Sequence, residues 1–340
     1  MRSAGTIAIV GATGQVGGVM RQILEERKVP FDHIRFFASP RSAGTVIEFD
    51  GRSIEVEDVK TADLRGIDYA VFSIGATASK VHAPRFVEAG AVVIDNSSAY
   101  RMDPNVPLVV PEVNPREVVR HPLGIIANPN CTTMIAMPPL AIIDRLFGLE
   151  RVIAATYQAA SGAGREGVAE LDAELQRPNL AALTFDGGAV DFMSPVKFPA
   201  VLAGNVIPLA GDLHDGDTSE EEKFVNESRK ILGLADLRCH VTCVRVPVFT
   251  GHSIAIVAEC RDTPRVESFV DALRQEPGCQ IVELPTPLAS AGIDPVLIGR
   301  IRPDRSSTNG IAFFVSGDNL RKGAALNAIQ VLEVLLRYKA

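Results

Sequence analysis

Tryptophan is absent from the chain, and aromatic residues make up only 6% of its 340 residues. Hydrophobic residues nevertheless reach 46%. The cores must therefore be built from alanine, valine, isoleucine and leucine, as buried parallel strands and their covering helices usually are. Since a domain takes about 150 residues, the length predicts two domains, each large enough to bury a core.

An excess of basic charge is also missing, because the formal net charge is −7 at pH 7. Nucleic acids and anionic membranes are bound by clustered lysine and arginine, so a small-molecule ligand is expected instead. No apolar run reaches the roughly 18 residues of a membrane span, and no secretory leader is recognised. The five cysteines give no disulfide framework. Together these features predict a soluble, cytoplasmic protein with reduced thiols.

Strand and helix patterns alternate in the first part of the chain. Thr6–Val10 has the pattern of a buried strand, and further strand patterns cover 34–37, 69–74 and 91–95, with a short helical segment at 84–89. Such alternation predicts right-handed crossovers and a parallel sheet.

The pattern changes after about residue 130. Strands are predicted at 152–159, 240–248, 253–259 and 311–316, and helices near Cys131, at 219–232 and at 319–338. The expected fold class is α/β, with an N-terminal Rossmann-type doubly wound parallel sheet domain and an α+β catalytic and dimerisation domain. The predicted limits are 1–129 with 319–340 for the first domain and 130–318 for the second.

Gly11, Gly14 and Gly17 follow the first strand and precede a helical pattern. Glycines at such a turn let backbone amides approach a pyrophosphate at the N-terminus of the helix. The spacing G-x-x-G-x-x-G departs from the G-x-G-x-x-G fingerprint, so a plain tight turn is an open alternative. The preceding strand favours the dinucleotide interpretation.

The end of the second strand bears on the type of cofactor. NAD-binding domains usually place an acid there, which binds the ribose 2′-hydroxyl. This chain instead has Ala38-Ser39-Pro40-Arg41-Ser42. Because an arginine and a serine suit a 2′-phosphate, NADP is expected, although Arg41 alone would also fit an exposed loop charge.

Cys131 is the candidate nucleophile. Asn130 is a good N-cap, which puts Cys131 at about the first position of the predicted helix. The positive potential at a helix N-terminus lowers the pKa of a thiol and populates the thiolate that attacks carbonyl carbon. The alternative is a small hydrophobic side chain that fills a gap. Cys239 and Cys243 have no second pair of ligands nearby in the sequence, so no metal site is predicted.

His252 is the best candidate for the base that such a nucleophile needs, since it follows Gly251 between two strand patterns. A turn histidine that satisfies backbone groups is equally consistent with this position. Arg245, before the turn, offers a planar fork that fits a carboxylate.

An acidic run opens the predicted helix at 219–232. Either Thr218 or Ser219 has a glutamate three residues later with which it can form a capping box. Glu220 and Lys223 share a helix face, as a ligand pair or as a surface salt bridge. Their spacing does not distinguish these two possibilities.

Five motifs taken together closely resemble the aspartate-semialdehyde dehydrogenase family, from one end of the chain to the other. They are Gly-Ala-Thr-Gly-Gln-Val-Gly at 11–17, Ser-Ser-Ala-Tyr-Arg at 97–101, Asn-Pro-Asn-Cys-Thr-Thr at 128–133, Gln-Ala-Ala-Ser-Gly-Ala-Gly at 158–164 and Arg-Val-Pro-Val-Phe-Thr-Gly-His at 245–252. The resemblance implies NADPH-dependent reduction of aspartyl phosphate to aspartate semialdehyde, in biosynthesis of lysine, threonine, methionine and diaminopimelate.

The resemblance also implies roles for individual residues. Cys131 would form the acyl thioester, His252 would be the general acid/base, and Gln158 would position the substrate near the nucleophile. The implied substrate-binding residues are Arg245 for the α-carboxylate, Arg101 and Lys223 for the phosphate, Glu220 for the ammonium group, and Asn130. The neighbouring acids Glu221 and Glu222 leave open which carboxylate meets the ammonium.

Around NADP, the resemblance implies one set of residues from the glycine turn, the second strand and the second domain. They are Gly11, Thr13, Gly14, Gln15, Val16, Arg41, Ser42, Ser161, Gly162 and Asn319. A homodimer or homotetramer is implied as well, with the second domain at the interface.

Two alternative functions stay open. An N-acetyl-gamma-glutamyl-phosphate reductase has a similar architecture and also uses a cysteine, but its acylated amine would have no use for Glu220. The chain could also be an inactive dinucleotide-binding paralogue, because a fold never guarantees activity. The presence of both Cys131 and His252 argues against that second alternative.

Overall fold

The computed structural model describes residues 5–338 and divides them into two compact units. Unit 1 contains the chain up to Met137, Glu227–Leu234 and the chain from Leu320 onward, and unit 2 contains Pro138–Asn226 and Ala235–Asn319. Each unit is therefore built from separate stretches of the chain.

Unit 1 is organised around a seven-stranded sheet. Its strands are β1 (Thr6–Val10), β2 (His33–Ala38), β3 (Val46–Phe49), β4 (Arg52–Asp58), β5 (Tyr69–Phe72), β6 (Val92–Asp95) and β7 (Ile125–Ala127). They lie in the order β3-β4-β2-β1-β5-β6-β7, and every neighbouring pair is parallel except β3 with β4. The strand order runs outward from β1 in both directions, so it reverses between β1 and β5. Doubly wound sheets bind ligands at the carboxyl ends of the strands where the order reverses.

Unit 2 contains a mixed six-stranded sheet and a two-stranded ribbon. The strands are β8 (Leu149–Gln158), β9 (Leu213–His214), β10 (Asp217–Thr218), β11 (Arg238–Arg245), β12 (His252–Cys260), β13 (Cys279–Ile281), β14 (Val296–Pro303) and β15 (Gly310–Gly317). The large sheet has the order β11-β8-β12-β15-β14-β13. Because β8 and β11 are parallel and β12 is antiparallel to β8, the end of β8, the end of β11 and the start of β12 meet at one edge.

Eight α-helices accompany the strands of the described chain. They are α1 (Gln15–Arg27), α2 (Ala76–Glu88), α3 (Cys131–Phe147), α4 (Gly164–Leu175), α5 (Ser219–Leu232), α6 (Val266–Gln275), α7 (Pro287–Ser290) and α8 (Leu326–Tyr338). Short 3-10 helices cover Pro115–Val119, Ala160–Ala163 and Leu180–Thr184, and a π-helix covers Arg321–Ala325. None of the helices between residues 5 and 338 is long and apolar enough to cross a membrane.

The core of unit 1 joins distant parts of the sequence. Met20 and Ile23 of α1 are buried in one cluster with Ile9 of β1 and with Ile329 and Leu332 of α8. The apolar spacing of each helix supplies the face that covers the sheet. The C-terminal helix thus completes the first domain, and the predicted α/β class with a separate α+β domain is confirmed.

The structure differs from the sequence-based expectation in several elements. The helix predicted at 84–89 begins at Ala76, so Pro84 lies inside it although proline favours a first turn. The predicted final helix consists of the π-helix followed by α8. The unit limits fall inside α3 and α5 rather than between elements. Elements that the sequence patterns did not indicate are β3, β4, β7, α4, β9, β10, α6, β13, α7 and β14.

Candidate active site

The turn after β1 is too tightly packed to accept side chains. Gly11 has a φ of 92°, and a Cβ there would lie 2.3 Å from the Ser73 carbonyl oxygen. A Cβ on Gly17 would lie 2.2 Å from the Gly11 carbonyl oxygen. Glycine is therefore required at both positions for α1 to begin directly above the end of β1.

This turn has the features of a diphosphate site. α1 begins at Gln15, after Gly14, and no side chain caps its N-terminus. Thr13, Gln15 and Val16 are all half-buried at this point. Helix N-terminal amides without a side-chain cap attract an anion. The turn therefore fits a dinucleotide.

The predicted 2′-phosphate residues lie just beyond β2, the neighbour of β1. The backbone amides of Gly11 and Ala12 donate to the Phe37 carbonyl oxygen at 2.8 Å and 3.1 Å, which ties the glycine turn to the end of β2. Arg41 is exposed and Ser42 is half-buried. This placement is compatible with recognition of a ribose phosphate beyond the turn.

Cys131 is the first residue of α3. The Asn130 side-chain oxygen accepts hydrogen bonds from the Thr132 backbone N–H at 3.0 Å and from the Thr132 hydroxyl at 2.6 Å. Asn130 therefore caps the helix as the sequence predicted. The chain is close-packed here, because a Cβ on Gly323 would lie 3.0 Å from the Cβ of Cys131.

Arg101 is buried in unit 1 and held from several sides. Its Nε donates to the Asn128 carbonyl oxygen at 2.9 Å, and its Nη2 donates to the Asn96 carbonyl oxygen at 2.9 Å. Its Nη1 pairs with Glu227 at 3.0 Å. A guanidinium has five N–H donors, so among the described residues one N–H on each of Nη1 and Nη2 is left for an anion.

Glu227 is a buried residue of this site that the sequence analysis missed. Its second oxygen accepts from the Asn130 backbone N–H at 2.6 Å. The sequence did contain a signal that Glu227 is buried. It lies three residues after Phe224 and four before Ile231, and therefore on the buried face of α5. A carboxylate on the apolar face of a helix requires a partner.

In unit 2, three candidate residues meet at the sheet edge described above. Gln158 ends β8 and pairs in register with Arg245, which ends β11, while His252 begins β12. The backbone of Ala159 joins two of them: its carbonyl oxygen accepts from Arg245 Nη1 at 2.8 Å, and its N–H donates to His252 Nδ1 at 3.0 Å. His252 is therefore a strand residue, not a turn residue.

The imidazole of His252 is fully buried. Burial, and after it the charge of Arg245, lower the pKa of His252 to about 3, while the charge of Glu220 opposes the shift. Because Nδ1 accepts a hydrogen bond, the neutral ring carries its proton on Nε2. His252 Nε2 and both side-chain polar atoms of Gln158 have no partner within residues 5–338. Buried polar groups of this kind indicate a ligand site.

Gly162 lies directly against the side chains of Arg245 and His252. A Cβ on Gly162 would lie 2.8 Å from Arg245 Nη1 and 3.1 Å from His252 Nε2. Beside it, the Asn319 side-chain oxygen accepts from the Ser161 hydroxyl at 3.0 Å and from the Gly251 N–H at 2.8 Å. The three predicted cofactor residues of unit 2 thus lie around His252 and Arg245.

The three glutamates at the start of α5 have different surroundings. Glu221 accepts from the Thr218 N–H at 2.6 Å, and its own N–H donates to the Thr218 hydroxyl at 3.3 Å, which forms a capping box. Glu220 pairs with Lys223 at 2.8 Å, and both are partly buried. Glu222 is exposed. Since Glu221 is engaged in the cap, Glu220 stays the candidate partner of the ammonium group.

Two of the other cysteines are unsuited to act as a nucleophile. Cys243 and Cys260 are buried, and burial raises the pKa of the Cys260 thiol to about 12. The part of the chain that the structure describes contains no group of three or more His, Cys, Asp or Glu side chains placed to hold a metal ion.

Comparison with known proteins defines the class to which this fold and site belong. Residues 6–121 match the family model "Semialdehyde dehydrogenase, NAD binding domain", and residues 140–322 match "Semialdehyde dehydrogenase, dimerisation domain". The chain is thus a semialdehyde dehydrogenase by both of its domains.

Full-length relatives narrow this class. An aspartate-semialdehyde dehydrogenase of Mycolicibacterium smegmatis is 53% identical, with 97% of this chain and 98% of the relative covered. One of Bacillus subtilis is 42% identical, with 97% and 96% covered. The crystal structure of aspartate semialdehyde dehydrogenase II complexed with ASA from Vibrio cholerae superimposes with a TM-score of 0.91 at 40% identity, covering 98% of each chain. The chain therefore belongs to the aspartate-semialdehyde dehydrogenase family and is an oxidoreductase.

Proposed function

We propose that this enzyme catalyses the reversible, NADPH-dependent reduction of L-4-aspartyl phosphate to L-aspartate 4-semialdehyde and phosphate. The observation that carries the proposal is the 53% identity over 97% of the chain to a protein named for this activity. The reaction would serve the biosynthesis of lysine, threonine, methionine and diaminopimelate.

The dinucleotide in this proposal is NADP rather than NAD. The glycine turn after β1 fits a diphosphate, and no acid follows β2 where an NAD-binding domain would need one. Arg41 and Ser42 stand there instead and would bind the 2′-phosphate. When bound, the nicotinamide supplies or accepts the hydride.

Cys131 would act first. Its thiolate attacks the acyl carbon of aspartyl phosphate, a C–S bond forms, and the bond to the phosphate oxygen breaks. Arg101 and Lys223 would bind the phosphate as it leaves. The product of this step is a thioester on Cys131, and Asn130 fixes the start of the helix on which the sulfur lies.

His252 and Gln158 would act on the substrate oxygen. Reduction of the thioester gives a tetrahedral thiohemiacetal, whose oxygen carries negative charge before the C–S bond breaks. The proton on His252 Nε2 and the Gln158 amide, both without partners in residues 5–338, are the groups that would stabilise this charge. Collapse releases the aldehyde and returns the thiolate of Cys131.

The charged ends of the substrate also have proposed partners. Arg245 offers its guanidinium to the α-carboxylate, and Glu220 offers its carboxylate to the ammonium group. The match of residues 140–322 to a dimerisation domain supports a homodimer or a homotetramer. The cytoplasmic location inferred from the sequence stays a prediction.

The test is an absorbance assay of reduced nicotinamide in the oxidative direction. It compares aspartate semialdehyde with N-acetyl-glutamate semialdehyde, and NADP with NAD, each with and without phosphate. We expect turnover with aspartate semialdehyde, NADP and phosphate together, and none in Cys131→Ala. The matched control is Cys279→Ala, a half-buried cysteine with no proposed role. Preference for the N-acetylated substrate, or equal turnover in Cys131→Ala, would reject the proposal.

A further inference from the structure

The two oxygens of the Glu227 carboxylate hold two different parts of unit 1. Oε1 pairs with Arg101 Nη1 at 3.0 Å, and Oε2 accepts from the Asn130 backbone N–H at 2.6 Å. Asn130 is the helix cap immediately before Cys131. One buried carboxylate thus connects the candidate phosphate ligand to the backbone that carries the candidate nucleophile.

Lys230, one turn further along α5, binds the backbone of the loop that carries Arg101. Its Nζ donates to the carbonyl oxygens of Arg101, Asp103 and Val106 at 2.7 Å, 2.8 Å and 2.8 Å. Residues 227 and 230 therefore fix both the side chain and the main chain of Arg101. This part of α5 belongs to unit 1, and its contacts with the Arg101 loop explain why.

Buried ion pairs in this unit do not all share this arrangement. Glu333 is also buried, but both of its oxygens pair with the single guanidinium of Arg27, each at 2.8 Å. That pair joins α1 to α8. Glu227 differs because its two oxygens divide between a proposed ligand and the residue next to Cys131.

We propose that Glu227 is a positioning residue for the reaction. It sets the distance between the phosphate-binding guanidinium of Arg101 and the Cys131 sulfur, so that attack on the acyl carbon and departure of phosphate occur at one fixed geometry. This inference rests on the proposed function of Cys131 and Arg101. Glu227 itself touches neither substrate nor cofactor in this scheme.

The test replaces Glu227 by glutamine, which preserves the shape but presents one oxygen and one NH2 group. An NH2 group cannot accept from a second donor, so either Arg101 or the Asn130 N–H loses its acceptor. Because a displacement of about 1 Å costs about a hundredfold in rate, we expect kcat to fall by about tenfold to a hundredfold. The KM for phosphate should rise about tenfold, whereas the KM for aspartate semialdehyde should stay within about twofold, because Glu227 holds the phosphate ligand Arg101 and touches neither proposed ligand of the carboxylate and ammonium groups.

A second measurement does not depend on turnover. The rate of Cys131 alkylation by iodoacetamide is followed against pH in the wild type and in Glu227→Gln. Removing a negative charge next to the Asn130 backbone favours the thiolate, so the profile should move to lower pH. The matched control, Glu333→Gln, should leave both this profile and the ratio of the two KM values unchanged.

The positioning role would be overturned if Glu227→Gln lowered kcat but left both the ratio of the two KM values and the pH profile of alkylation unchanged, as expected of the control. If Glu227→Gln does not fold, Glu227→Asp is measured by the ratio of the two KM values alone, because aspartate keeps the negative charge but is one methylene shorter. Unfolding of both variants while Glu333→Gln folds would also overturn the positioning role. If the wild type fails to turn over aspartate semialdehyde while the alkylation profile still shifts, the proposed function fails and the coupling of Glu227 to Cys131 stands.

Discussion

The backbone N–H of Ala159 donates a hydrogen bond to Nδ1 of His252 at 3.0 Å. This bond places the proton of the neutral imidazole on Nε2, and it is available only while Nδ1 is unprotonated. Burial and the charge of Arg245 both disfavour the imidazolium form. His252 is therefore a neutral hydrogen-bond donor at physiological pH.

Acid should destabilise the protein through His252. Its pKa is about 3 in the folded chain and about 6.5 when unfolded. The lowered value means that its stabilising contribution is full above pH 6.5 and is lost as the pH falls toward 3. Between pH 7 and pH 5 the loss should be about 2 kcal/mol. Urea unfolding at both pH values, in the wild type and in His252→Asn, measures it, and an equal loss in the variant would contradict this assignment.

Substitution of Gly162 by alanine should damage activity more than stability. The new Cβ would lie 2.8 Å from Arg245 Nη1, and that nitrogen is already held by the Ala159 carbonyl oxygen at 2.8 Å. Displacement of the guanidinium and the imidazole should lower kcat/KM about tenfold to a hundredfold. Steady-state kinetics measure this, with Gly187→Ala as the control, since a Cβ there meets nothing within 4 Å. Similar kinetics in both variants would argue against a site at Gly162.

Cys131 should react with iodoacetamide before the other four cysteines. It is partly exposed and begins a helix, whereas Cys243 and Cys260 are buried. Cys239 and Cys279 are half-buried too, but they lie in β11 and β13 and lack the positive potential of a helix N-terminus. The raised pKa of Cys260, about 12, keeps its thiol protonated. Peptide mass spectrometry after a short exposure measures the order of labelling. Labelling of Cys260 as fast as Cys131 in the folded protein would contradict the site.

Replacement of Arg41 by aspartate should change the choice of cofactor. An acid after β2 repels a 2′-phosphate and accepts the ribose hydroxyl of NAD. The KM for NADP should rise about tenfold or more, because a hydrogen bond to a charged group contributes about 1.5 kcal/mol or more, while the KM for NAD falls. The control is Arg52→Asp, another exposed arginine of unit 1. An unchanged ratio of the two KM values would remove Arg41 from the cofactor site.

Much of the fold was predictable because local patterns and tertiary packing agree. β1 and α5 have the bounds that their residue patterns predicted. The hairpin of β3 and β4 has a local signal, the Asp50-Gly51 turn, which the sequence analysis overlooked. The short β7 escaped prediction because it is held by pairing with β6. Short strands of this kind carry too few residues for a periodic signal.

The sequence alone determined which chemical groups are present: a cysteine at a helix start, a glycine turn after a strand, and the motifs of one enzyme family. Only the tertiary structure decided how some of them are used. It showed that Ala159 fixes the tautomer of His252 and that Glu227 joins Arg101 to Asn130. The reason is physical: a helix cap or a turn depends on neighbours in the chain, whereas the partner of a buried charge depends on which distant segment packs against it.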